Sequence, residues 1–183
     1  MSIPDAFADI LREPEVRTQR FSDDGTFPNN EDLPVPVFRQ AFQHTLRGPD
    51  STMTRVFQAH EWRGCWRNGI FSYHHYHSTA HEVLGVTRGD ARIQLGGPEG
   101  AAVNVERGDV LVLPAGVAHK NLGAASDFRV VGAYPDGREW DLNRGRPNER
   151  PQADRNIEQV PCPSHDPLYG PDGPLRTHWG STE

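Results

Sequence analysis

Cysteine is scarce in this chain. Cys65 and Cys162 are the two in 183 residues, they lie far apart, and neither belongs to a C-x-x-C pair, which excludes a disulfide framework and a thiolate zinc site. No apolar run is long enough to span a bilayer. Basic residues such as Arg63, Arg67 and Arg88 are scattered, and a formal net charge of -6 leaves no basic face for the phosphates of a nucleic acid. The opening residues, MSIPDAFADILREPEV, place two acids before the first base and lack the basic start, apolar middle and cleavage site of a secretory leader. Repeats of solenoid length and the strand–helix alternation of a parallel α/β fold are also missing. What remains is one domain with room for a proper core, expected in the cytoplasm and expected to meet a small-molecule partner.

Three textures follow one another along the chain. Residues 1–66 read as helices with polar connections: Ile3, Phe7, Ile10 and Leu11 form one apolar stripe, and Val37, Phe38, Phe42 and Leu46 form another. A third helix is expected after GPDS, capped by Asp50 or Ser51 and carrying Met53, Val56 and Phe57. Between the first two, SDDGTFPNNEDLP is loop chemistry. Residues 67–134 change period: GIFSYHHYH, EVLGVTRG, ARIQLGG, AAVNVERG, DVLVLPAG and DFRVVGAYP are short strand-like runs parted by Gly, Pro and Asp turns. That rhythm predicts antiparallel β structure, as a sandwich or barrel. Residues 135–183 are rich in Pro, Gly, Asp and Arg, yet Ile157, Val160, Leu168, Tyr169, Leu175 and Trp179 are too apolar for a solvating tail. An irregular extension lying over the barrel is expected, ordered at least through Trp179.

Four histidines and a glutamate crowd the ten positions from Tyr73 to Glu82. If GIFSYHHYH is a strand, Phe71, Tyr73, His75 and His77 share the inward face, while Ser72, His74 and Tyr76 face away. The next strand begins at Glu82 and continues its face through Leu84 and Val86, so Glu82 points inward too. A carboxylate facing an apolar interior beside two imidazoles is costly to bury unless a partner or a cation compensates it. After the turn at Pro114 and Gly116, His119 and Asn121 alternate onto one face, and His119 becomes a third imidazole.

Two spacings tie these residues together. Gly69, His75, His77, Glu82 and Gly89 meet G-x5-H-x-H-x4-E-x6-G, and Gly108, Pro114, Gly116 and His119 meet G-x5-P-x-G-x2-H. The chain thereby resembles the cupin superfamily. At the end of the second pattern Gly123 stands where Asn is usual, and Asn occurs at position 121. DDGTFPNN, WRNGIFSYHHYHSTAHEVLGV, GAYPDG and DPLYGPDGPLRTHW look like the YjlB-like cupin subfamily across nearly the whole chain.

The resemblance implies a mainly β fold, a double-stranded β-helix or jelly-roll barrel, with His75, His77, Glu82 and His119 binding one divalent metal. Fe, Mn, Ni, Co and Zn all suit such a donor set. Six-coordination leaves two positions open, which permits Lewis-acid polarisation, water activation or oxygen chemistry at iron. The implied function is an enzyme of dioxygenase, isomerase or decarboxylase type acting on a small oxygenated, dicarbonyl or sugar-derived molecule; the competing class is a non-catalytic metal-dependent binding or sensing module. His81 replaces Glu82 as a ligand if the turn is distorted, and is otherwise a turn histidine pointing away. Tyr73 is barrel core or a substrate-facing phenol. Asn121 bonds a ligand imidazole, touches substrate or is structural. Trp62, Trp66 and Trp140 read as core or interface aromatics. Exposed barrel edges make a homodimer the expected assembly.

Overall fold

A computed structural model describes residues 3–180. In chain order its strands are β1 (Glu15–Phe21), β2 (Asn30–Arg39), β3 (Trp62–Asn68), β4 (Glu82–Arg88), β5 (Asp90–Leu95), β6 (Ala101–Glu106), β7 (Val110–Leu113), β8 (His119–Ala124) and β9 (Arg129–Pro135). Three α-helices join them: α1 (Pro49–Ala59), α2 (Gln152–Glu158) and α3 (Pro174–Trp179). A six-stranded sheet in the order β1-β2-β7-β4-β9-β3 faces a three-stranded sheet in the order β6-β5-β8, and every pairing is antiparallel. This is the mainly β jelly-roll architecture expected from the sequence. No helix among the described residues is long and apolar enough to cross a membrane.

The period of two along each strand divides the core in two. Leu84 and Val86 of β4, Leu111 and Leu113 of β7 and Val130 of β9 pack with Ile93 and Leu95 of β5 between the sheets. Their neighbours Val83, Val110, Val112, Val131 and Ala133 face the other way, against Met53, Val56 and Phe57 of α1 and against Leu168, Leu175 and Trp179 from the end of the chain. The large sheet is therefore covered on both faces, which is why β7 reads VLVL without a polar alternate. Two glycines permit close approach. A Cβ at Gly85 would lie 2.8 Å from Met53 Sδ, where α1 crosses β4, and one at Gly132 would lie 2.2 Å from the Trp66 indole.

The third expected helix is α1, with Met53, Val56 and Phe57 fully buried. Its cap is Gly48 rather than Asp50 or Ser51: the glycine takes φ 54, Pro49 opens the helix, and no side chain caps it. The other two expected helices do not form. The stripe at Ile3–Leu11 contributes a single 3-10 turn at Asp5–Phe7, and Val37 and Phe38 lie in β2, which begins already at Asn30 inside the stretch read as loop. For the second of these, Pro34 and Pro36 push Leu33 and Val35 into extended backbone, Val37 and Phe38 pair with both β1 and β7, and Gln40 at φ 51 interrupts a helical path. The apolar residues still reach the core, for Leu11 bridges Phe42 and both are buried.

Beyond β9 the chain returns over the outer face. Asp166 gathers it: Oδ1 accepts the Leu168 and Tyr169 N–H groups at 2.8 and 3.0 Å, and Oδ2 accepts that of Leu175 at 2.9 Å. Trp179 Nε1 then donates to the Pro34 carbonyl at 2.8 Å.

Candidate metal centre

GIFSYHHYH is not a regular strand. Residues 69–81 form an irregular crossing held at two isolated bridges, His75 with His119 and Tyr76 with Asn143. Alternation survives locally around those bridges. His75 and His77 turn inward, whereas Tyr76 is buried on the opposite side with Phe27, Ala118 and Ala153. Phe71, expected in the interior, is 47% exposed; it precedes the bridged stretch and lies on the cavity rim.

His75, His77 and His119 are buried, and one ring nitrogen of each lies within 4.8 Å of the others. Glu82, the first residue of β4, brings Oε2 to 3.5 Å from His77 Nε2 and 3.6 Å from His119 Nε2. Each imidazole is oriented by a backbone carbonyl that can only accept: His75 Nδ1 contacts Tyr73 O at 3.1 Å, His119 Nδ1 contacts Val117 O at 3.2 Å, and His77 Nδ1 bonds Asp141 O. Each Nδ1 therefore carries a proton, so Nε2 is the atom that offers a lone pair when the ring is neutral. The opposite end of Glu82 is held by Tyr134, whose hydroxyl donates to Oε1 at 2.9 Å while accepting from Trp66 Nε1 at 2.8 Å. Three converging imidazole nitrogens and a buried carboxylate fit a divalent cation, which would compensate the carboxylate.

Comparison with known proteins gives the family of the chain. The sequence profile of the Cupin family matches residues 66–135. The "Uncharacterized protein YjlB" of Bacillus subtilis (strain 168) is 43% identical over 167 residues, covering 91% of this chain and 98% of that protein. The chain belongs to the cupin superfamily, in its YjlB-like group. Solved cupin-type structures are more distant. Acireductone dioxygenase from Bacillus anthracis is 15% identical with a TM-score of 0.34, over 67% of this chain and 78% of its own. A vicilin from Solanum melongena is 28% identical with a TM-score of 0.36, over 44% of this chain, and the match spans 24% of the vicilin.

In this cupin the remaining sequence candidates scatter. His81 lies apart from the three clustered imidazoles: it is almost fully buried on the other side of the turn, where Nδ1 accepts the Ala115 N–H at 2.9 Å and the ring lies 4.7 Å from Trp179. Burial pushes its pKa down to about 3. Tyr73 is half-buried beneath the Arg144 guanidinium and stacked on Phe71 at 4.8 Å, outside the cavity. Asn121 turns its Oδ1 to the Gly123 N–H at 2.8 Å and pairs with Ile93 across the small sheet, so it reaches neither the imidazoles nor the cavity. His74 packs against Phe27, away from the cluster.

Burial holds the pKa of His75 and His119 below the ordinary value. At His77 burial acts in the same direction, but the charge and hydrogen bond of Glu82 and the Asp141 carbonyl outweigh it and raise the pKa. A cavity of about 250 Å³ opens from the cluster to the surface, walled by Trp66, Ile70, Phe71, Leu84, Tyr134 and Trp140. Sequence reasoning missed Tyr134 and Asp141 as supports and read Trp66 and Trp140 as core or interface residues. The signal for Asp141 is weak, since it stands 64 positions from the histidine it orients.

Proposed function

We propose that this cupin is a metal-dependent enzyme acting on a small oxygenated molecule at a mononuclear centre held by His75, His77, Glu82 and His119. The observation that carries the reading is the convergence of three buried histidines, each with Nδ1 directed at a backbone carbonyl and one ring nitrogen of each within 4.8 Å of the others, with the Glu82 carboxylate against His77 and His119 Nε2. A bound divalent cation would supply Lewis-acid or redox chemistry at such a site. Tyr134 and Trp66 hold Glu82 in place, and the apolar walls restrict water around the reacting oxygen atoms. The opening of the cavity to solvent favours catalysis over a purely structural metal, because a substrate has a route in. Sheet edges at β1, β3, β6 and β8 support a homodimer, which light scattering would test.

Single replacements of the ligands decide the first point. His75→Ala, His77→Ala, His119→Ala and Glu82→Ala are expected to lower metal content sharply, while His74→Ala and His81→Ala keep about one metal per chain. Equal metal content in all six variants would refute the assignment. Retention in Glu82→Ala together with loss in His81→Ala would instead make the centre a four-histidine one.

A further inference from the structure

We infer that the cavity selects a flat, weakly polar molecule of about one ring that presents two adjacent oxygen donors at one edge and binds as a monoanion; this rests on the metal-centre reading above. The walls carry the inference. Ile70, Leu84 and Phe71 offer no hydrogen bond, and the polar atoms of Trp66 and Tyr134 are already committed, Trp66 Nε1 to the Tyr134 hydroxyl and that hydroxyl to Glu82. Away from the ligand cluster the remaining polar groups on the lining are the exposed Arg67 and Asn68 and the indole N–H of the half-exposed Trp140. A polyhydroxylated sugar chain would bury most of its hydroxyl groups against the inner walls without partners, which is costly.

Aromatic area is what the cavity provides instead. Trp140 stacks on Tyr134 with ring centroids 5.7 Å apart and 22° between planes, and meets His77 edge-on at 5.0 Å. It remains 46% exposed, so the indole is held beside the cluster with area left to cover. A volume of about 250 Å³, open to solvent on one side, admits one ring with a short substituent. The head group follows from the donor set. If the four residues hold a divalent cation, a chelating oxygen pair could complete its ligand set, and a dication offset by Glu82 alone would keep about one positive charge, which a monoanion would neutralise.

The test compares two anionic chelators that differ in body: tropolone, a flat ring, and D-gluconate, a hydroxy acid on a polyol chain. Each is titrated by calorimetry into Co(II)-loaded wild type, Trp140→Ala and Trp140→Phe, after dialysis has fixed the metal stoichiometry. Trp140→Ala is expected to weaken tropolone about five- to tenfold and gluconate less than twofold, with Trp140→Phe restoring most of the loss. An equal loss for both chelators, or no loss for tropolone, overturns the inference while leaving the metal centre standing. If dialysis finds no bound Co(II), the metal reading falls, and phenol against glycerol on the metal-free protein judges the cavity alone. Phenol binding that depends on Trp140 then supports the flat-ring slot, and its absence overturns it.

Discussion

Glu82 is buried with one oxygen directed at the imidazoles and the other tied to the Tyr134 hydroxyl, so a single phenol sets where the carboxylate sits. Tyr134→Phe removes that donor and strands both Glu82 Oε1 and Trp66 Nε1. Metal affinity is expected to fall by about 10- to 100-fold, as for other supports of metal ligands. The metal-free protein should lose about 1–3 kcal/mol from the unpaired buried acceptor. Equilibrium dialysis and urea unfolding measure the two effects separately. The four proposed ligands were legible because their spacing is local: two short patterns, each within one turn and its flanking extended segments. Tyr134 was visible only as a strand residue, because nothing near it in the chain announces a carboxylate partner on β4.

At the scale of elements, the end of the chain is bound to the large sheet through one buried carboxylate. Asp166 accepts three backbone N–H groups and so fixes the turn that presents Leu168, Tyr169 and Leu175 to the outer core. Asp166→Ala would leave about 1–3 kcal/mol of uncompensated cost at each donor that stays buried. Limited proteolysis reads the result: the wild type should resist cleavage between Pro135 and Trp179, and the variant should be trimmed back towards β9. Rapid trimming of the wild type with no loss of thermal stability would show that this segment does not hold the sheet. The apolar residues of this extension were legible as needing cover. The two misread N-terminal helices show the limit of the same reasoning, since an apolar stripe fits either period when it is short: one shrank to a 3-10 turn at Asp5–Phe7 and the other was drawn into β2 beside Pro34 and Pro36.

For the whole molecule, acid stability follows from histidines buried as neutral rings. His60 is 7% exposed, and burial holds its pKa below 6.5 despite the Pro167 carbonyl at its Nδ1. The unfolded chain therefore binds the proton first as pH falls below about 6.5, and stability declines from there downward. His75 and His119 act in the same direction in the metal-free protein, whereas His77, with its raised pKa, opposes them. Urea midpoints of metal-free protein should fall between pH 7.5 and 5.5, and His60→Gln, which cannot titrate, should narrow the difference. An unchanged difference would remove His60 from the account.

By itself the sequence determined an antiparallel β class and a core that alternates along each strand, because alternation and turn chemistry act over a few neighbouring positions, and its cupin-like spacing proposed His75, His77, Glu82 and His119 as a centre. Tertiary structure alone decided the rest. Pairing of β4 with β9 set Tyr134 against Glu82, and the segment after β9 delivered the Asp141 carbonyl to His77 and the Trp140 indole to the cavity. Such contacts join residues far apart in the chain, and they exist only once the sheets have closed and fixed which distant side chains share one small buried volume.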